Sequence, residues 1–271
     1  MRFSRGVITI AVIVLLLAVA ISVGLYQLLK KTQPLAIPEA YCSVKTTKGE
    51  LALDIEQAQI SATIAAVAER RKLPERAVVI AYATALQESK LQNLAYGDRD
   101  SVGVFQQRES QGWGKRKQLL DPVYASNRFF AALVKVKNYR KIALADAAQA
   151  VQRSAGGYAY AQHEEDAKLL ASAFTGRVPK SVHCWYPPPK ASTPAPQAKT
   201  AEARRQLARA LGDPAISTRK RGWLVAAWSV AHAQKYGLKH VGFNGAIWTN
   251  DMRVDGWQSG GKASDSEVDI S

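Results

Sequence analysis

Residues 78–108 read VVIAYATALQESKLQNLAYGDRDSVGVFQQR, and the change of character just after Glu88 sets the reading of the chain. Up to Ser89, apolar Val78, Val79, Ala81, Tyr82 and Leu86 lie at helical spacing, and Pro74 upstream is a favoured first-turn residue. Beyond Lys90, the turn formers Asn93, Gly97, Asp98 and Asp100 predict a loop or short turns. An apolar helix therefore ends at a carboxylate that faces a polar excursion. A Glu in a last helical turn is ordinarily just solvated. Held against hydrophobic walls beside a cleft, however, a carboxyl group is favoured in its protonated form and can serve as a general acid.

Working outward, the same pattern recurs on both sides. Ile55, Ala58, Ile60, Ala62, Ala65, Ala66 and Val67 predict a helix with Asp54 as its N-cap, and further helices are expected over about 122–138, 143–154 and 162–175. Residues 51–185 thus read as one mainly α domain. The stretch 32–50, with Pro34 and Pro38 and no clear period, reads as a stalk. Residues 186–200 contain Pro187, Pro188, Pro189, Pro194 and Pro196 and read as a semi-rigid linker. Beyond it, residues 201–271 read as a small α/β module: helices over 202–211 and 222–236, then strands at His240–Asn244, Ala246–Thr249 and Val268–Ile270. Four tryptophans, Trp223, Trp228, Trp248 and Trp257, fall in this module, which carries no catalytic constellation; it reads as a wall- or partner-binding piece or as a folded spacer.

The first 31 residues read as a membrane anchor. Arg2 and Arg5 precede an uncharged run of about 23 residues from Gly6 to Leu29, which Lys30 and Lys31 close, and that length suffices for a spanning helix. The competing reading is a signal peptide cleaved near Ala20, with Ala18 and Ala20 as its small-x-small site. Either reading puts the bulk of the chain outside the cytoplasmic membrane. The two cysteines, Cys42 and Cys184, bracket the central segment and in an exported chain are most simply one disulfide; two reduced thiols are the alternative. His163, His183, His232 and His240 are scattered without zinc-ligand spacing, so no metal and no cofactor is expected. The net charge of +15 fits a polyanionic partner. Outside the cell that means anionic wall polymers rather than nucleic acid, or simply solubility.

The residues around Glu88 resemble the soluble lytic transglycosylase family of the lysozyme-like superfamily. Glu88-Ser89 matches the family's helix-ending Glu-Ser pair, and Gly103-Val104-Phe105-Gln106 its Gly-Leu-Met-Gln-like motif, with the Gln 18 positions after the Glu. Asp121-Pro122 and Asn127 fall where the family opens its next long helix. Gly97-Asp98-Arg99-Asp100-Ser101, Phe105-Gln106-Gln107-Arg108 and Gly112-Trp113-Gly114 further resemble a group of actinobacterial exported proteins. The likeness covers about residues 60–175. It implies a lysozyme-like fold, and a Glu88 that protonates the bond between N-acetylmuramic acid and N-acetylglucosamine in peptidoglycan glycan strands. Gln106 would bind the sugar or position Glu88, and Ser89 would support Glu88 through local hydrogen bonds.

Whether a second carboxylate takes part is open. A transglycosylase uses the substrate's own 6-hydroxyl as nucleophile, whereas an inverting hydrolase needs another carboxylate about 6.5–9.5 Å away, for which Asp98 and Asp100 are the nearby choices. Each is also an ordinary turn residue. The sequence departs from the family at Gln152-Arg153-Ser154-Ala155-Gly156, where Arg153-Ser154 replaces a Tyr-Asn pair whose Tyr reaches the catalytic Glu. An Arg beside a general acid favours the wrong, ionised state. Arg153 could instead bind a peptide-stem or lactyl carboxylate, and Tyr158 or Tyr160 could supply the missing aromatic. Trp113, Tyr96 and Tyr160 are stacking residues for sugar rings or simply rim and core aromatics. Two functions follow: an anchored peptidoglycan-cleaving enzyme, or a non-catalytic lysozyme-fold protein that grips glycan or scaffolds an envelope or conjugation assembly.

Overall fold

A computed structural model describes residues 5–31, 39–153, 157–188, 197–213, 215–254 and 256–271. The chain divides into two compact units, Met1–Glu39 and Ala40–Ser271. The first contributes one helix, α1 (Arg5–Lys31). The expected transmembrane helix is corrected here, because among the described residues no helix is long and apolar enough to cross a membrane. The backbone of α1 is helical over 27 residues, but apart from Gly6 its side chains are described only over 13–27. That stretch is about 22 Å at 1.5 Å per residue, short of a hydrocarbon core of about 30 Å.

The second unit opens with a hairpin, β1 (Tyr41–Thr46) and β2 (Gly49–Leu53). It continues with α2 (Ile55–Arg70) and α3 (Glu75–Ser89). A second, short hairpin follows, β3 (Ser101–Val102) and β4 (Gln107–Arg108), then α4 (Arg116–Leu119), α5 (Pro122–Leu133) and α6 (Leu144–Gln152). A 3-10 segment (Gly157–His163) leads into α7 (Glu164–Phe174) and β5 (Val182–Trp185). The remainder is α8 (Thr200–Leu211), α9 (Arg219–Ala231), α10 (Ala233–Tyr236), β6 (His240–Phe243), β7 (Ala246–Thr249), β8 (Trp257–Ser259) and β9 (Asp269–Ile270).

Helix starts follow the local chemistry. Asp54 accepts from the Gln57 amide at 2.7 Å while the Gln57 side chain accepts from the Asp54 amide at 2.9 Å, a reciprocal capping box. Asp121 caps α5 by accepting from the Val123 amide at 3.0 Å, with Pro122 in the first helical position, where its missing N–H costs nothing. Helix α2 is buried continuously from Ile60 to Val67, so it has no solvent face along that stretch. It packs on α3, α5, α8 and α9. Its many Ala, Ser and Thr side chains keep the neighbouring helices close.

The expected fold class, a mainly α lysozyme-like domain followed by a small α/β module, is corrected accordingly. Residues 40–271 form one compact unit, with α8 and α9 packed on the central α2. A buried hydrophobic cluster runs without a break from Cys42 and Ile64 through Trp223 and Trp248. The physical reason is the apolar belt of α9, buried from Gly222 to Ala231, which finds its partner in α2 rather than in a core of its own. Trp248 Nε1 donates to His183 Nδ1 at 3.1 Å, and Trp257 Nε1 to the Val182 carbonyl at 2.8 Å, tying the C-terminal sheet to β5. The Pro-rich stretch 189–196 lies outside the described residues.

Three sheets have the orders β2-β1-β5, β3-β4 and β8-β7-β6-β9 among the described residues. Part of the segment expected as a stalk is the hairpin β1–β2. In β1, Cys42 and Val44 are buried while Tyr41 and Lys45 are exposed, a period of two too short to stand out in sequence. Cys42 sits directly opposite Cys184 across β1 and β5, and the two form a disulfide.

Candidate active site

Helix α3 delivers Glu88 to its C-terminal end, where Lys90 in left-handed conformation (φ 55°) stops the helix. The next residue that matters is Ser89, which is buried. Its hydroxyl lies 2.7 Å from the Val104 carbonyl and 3.1 Å from the Ala85 carbonyl of its own helix. Ser89 therefore clamps the turn Gly103–Gln106, which joins β3 to β4, against the helix end. On the other side, the Gln152 side-chain amide donates to the Phe105 carbonyl at 2.7 Å. Between these two bonds the turn is gripped by α3 and by the end of α6.

Glu88 is half-buried, and the Tyr160 hydroxyl donates to its Oε1 at 2.6 Å. This short bond restrains the orientation of the carboxyl group. Tyr160 is 1% exposed, whereas Tyr158, two residues earlier on the 3-10 segment, is 93% exposed. Among the described residues, Glu88 Oε2 makes no hydrogen bond or ion pair. One oxygen of the carboxyl group is thus held by Tyr160.

The remaining expected site residues are distributed as follows. Gln106 adopts φ 46°, and its amide donates to the Gly103 carbonyl at 3.1 Å and the Tyr96 carbonyl at 3.4 Å, closing the polar loop on itself. Gly97 lies under that side chain: a Cβ there would fall 1.8 Å from Gln106 Oε1. Asp100 is engaged within the hairpin. Its Oδ2 accepts from the Ser110 amide at 2.8 Å, and its Oδ1 from Arg108 Nε at 2.6 Å and the Ser110 hydroxyl at 2.9 Å. The Ser110 amide, then Arg108, hold its carboxyl well below the usual carboxylate range. Asp98 is 90% exposed at its side chain and pairs with Arg99 at 3.8 Å. Neither aspartate is brought against Glu88 by any hydrogen bond. Tyr96 is exposed and Trp113 is half-buried.

Arg153 caps α6 in left-handed conformation (φ 53°) and is exposed. Among the described residues it forms no ion pair, with Glu88 or with any other carboxylate. Ser154, Ala155 and Gly156 lie outside the described residues. Two contacts near the site carried no sequence signal, because they join residues far apart in the chain. One is the bond from Gln152 to Phe105. The other is Gln87 Oε1, which accepts from Gln162 Nε2 at 3.1 Å and lies 3.0 Å from His163 Nε2. Partial burial lowers the pKa of His163, so its neutral ring is the form that borders Gln87. Among the described residues no group of three His, Cys, Asp or Glu could hold a metal ion.

The arrangement sets a half-buried carboxyl group beside a polar turn held by Ser89 and Gln152. Compared with known proteins, the chain matches no protein-family model and no curated sequence.

Proposed function

We propose that the protein cleaves the glycan strands of peptidoglycan between N-acetylmuramic acid and N-acetylglucosamine, with Glu88 as the general acid. The observation that carries the reading is the bond from the buried Tyr160 hydroxyl to Glu88 Oε1 at 2.6 Å. It gives Glu88 the aromatic partner that the resemblance to the lytic transglycosylases calls for and that Arg153-Ser154 had taken out of the usual place. The carboxyl group held in one plane by Tyr160 protonates the leaving O4 through Oε2 as the C1–O4 bond breaks and an oxocarbenium-like centre develops.

The aspartates favour the transglycosylase form over the hydrolase. Asp100 is taken up by Arg108 and Ser110, and Asp98 stands in solvent, so neither is set to activate a water. In the transglycosylase form the 6-hydroxyl of N-acetylmuramic acid attacks C1, its proton passes to the Glu88 carboxylate, and a 1,6-anhydro product forms without consuming water. The disulfide fits an oxidising, extracytoplasmic location, where this substrate lies.

Purified full chain incubated with isolated peptidoglycan tests the reading. Wild type should release muropeptides lighter by one water than the hydrolytic products, and Glu88→Gln should lose about a hundredfold to ten-thousandfold in turnover, the order expected when a general acid is removed. Binding without turnover in wild type would instead favour a glycan-gripping protein.

A further inference from the structure

A cavity of about 730 Å³ lies away from Glu88, which is not among its lining residues. It lies between the end of α5, the turn after it, the end of α6 and the loop 111–113. Its charged lining is all of one sign: Arg128, Lys135, Lys137 and Arg153, with no carboxylate. Ala131, Ala132, Val136, Val151 and Trp113 give it an apolar part. Arg128 is braced, donating from Nε to the Trp113 carbonyl at 2.9 Å and from Nη2 to the Gly112 carbonyl at 3.0 Å. Among the described residues, Lys135, Lys137 and Arg153 form no ion pair. Four cations around one concavity repel one another, and their mutual repulsion falls when an anion enters.

The cavity is coupled to the Glu88 site through one side chain. Gln152 lines it, and the same Gln152 amide holds the Phe105 carbonyl, next to Gln106 in the turn clamped by Ser89. The basic, partly apolar chamber and the turn beside Glu88 thus share Gln152 as a common wall. We propose that this chamber binds the carboxylates of the peptide stem that branches from N-acetylmuramic acid, so that the protein engages stem-bearing strands in preference to bare glycan. The inference rests on the proposed function for its choice of ligand. A stem suits the lining because it combines short apolar side chains with several carboxylates, whereas a bare glycan offers no charge to the four cations and a polyphosphate offers nothing to the apolar part.

The test is a binding measurement, so it stands apart from turnover. Full-length Glu88→Gln protein is titrated calorimetrically with a soluble muramyl pentapeptide, with the same peptide after its carboxylates are amidated, and with an oligomeric glycerol phosphate. The carboxylate peptide should bind at least tenfold more tightly than the amidated one, and the preference should shrink as salt is raised. Lys135→Ala/Lys137→Ala/Arg153→Ala should abolish that preference with an unchanged melting temperature. Equal affinity for the two peptides in Glu88→Gln overturns the proposal whether or not the triple variant folds. Tighter binding of the glycerol phosphate than of the peptide overturns it too, in favour of a wall-polymer site. Cleavage without any carboxylate preference would sink the chamber's role alone, and a carboxylate preference without cleavage would sink the catalytic reading alone.

Discussion

At the scale of single residues, the site turns on which tyrosine reaches Glu88. Tyr158 and Tyr160 are equivalent in sequence, both following closely on Gln152-Arg153-Ser154-Ala155-Gly156. A 3-10 turn advances 120° per residue, so residues two apart point to different sides. The fold buries Tyr160 and leaves Tyr158 in solvent. Under the proposed function Tyr160 acts through Glu88, as a positioning residue. Removing its hydroxyl deletes one hydrogen bond, worth about 0.5–1.5 kcal/mol. Tyr160→Phe should therefore lower kcat on peptidoglycan about twofold to tenfold while KM stays unchanged. Tyr158→Phe should change neither. A rise in KM with kcat preserved would assign Tyr160 to substrate binding instead. Among the other residues read from sequence, Asp100 illustrates why composition misleads: the same carboxylate can serve catalysis or a turn, and only its bonds to Arg108 and Ser110 decide.

At the scale of elements, the β3–β4 turn is the piece on which the site depends. Gly103 has φ 79°, and a Cβ there would lie 2.4 Å from the Leu119 carbonyl oxygen, so both backbone conformation and space require glycine. Gly103→Ala must displace the turn that Ser89 and Gln152 hold. We expect a loss of about 1–3 kcal/mol in chemical denaturation, together with loss of activity at temperatures where the variant is still folded. A variant as stable and active as wild type would show that the turn does not position the site. This element was legible in part. The helix ends at Glu88, the capping residues Asp54 and Asp121-Pro122, and the turn-forming character of 93–103 could be read directly, because caps and turns are local chemistry. The hairpin β1–β2, strand β8 and the grip of Gln152 on Phe105 could not. The strands are too short to display a period, and the Gln152 bond joins residues 47 apart in the chain. The burial of α2 on nearly every side was equally hidden, since its alanines read as an amphipathic face until α8 and α9 are seen to cover the rest.

At the scale of the whole molecule, two features hold residues 40–271 together, and each makes a measurable claim. The Cys42–Cys184 disulfide closes a sequence separation of 142 residues, tying the first strand of the unit to β5. Replacing both cysteines with serine should destabilise the protein by about 2–5 kcal/mol in urea unfolding, with the loss reproduced in wild type by reductant. No change on reduction would mean that the β1–β5 pairing is held by packing alone. The second feature is His232, 6% exposed at the end of α9 and stacked 3.9 Å from Trp228, with Nδ1 2.9 Å from the Trp228 carbonyl. Burial lowers its pKa from 6.5 to about 3, against the smaller opposing effect of that hydrogen bond. The folded protein thus keeps His232 neutral while the unfolded chain takes up a proton below pH 6.5. Its contribution is complete above that pH and is lost as the pH falls toward 3, with a limiting slope of about 1.4 kcal/mol per pH unit. Carboxylates such as Asp251, lowered to about 2 first by the Arg253 side chain, add to acid sensitivity only below their own unfolded values. Between pH 6 and 5, where those groups remain ionised in both states, unfolding free energies should therefore fall more steeply for wild type than for His232→Leu, in which only the lesser contribution of His163, also lowered by burial, remains. Parallel slopes for the two proteins across that window would remove His232 from the account of how the C-terminal helices are held to the core.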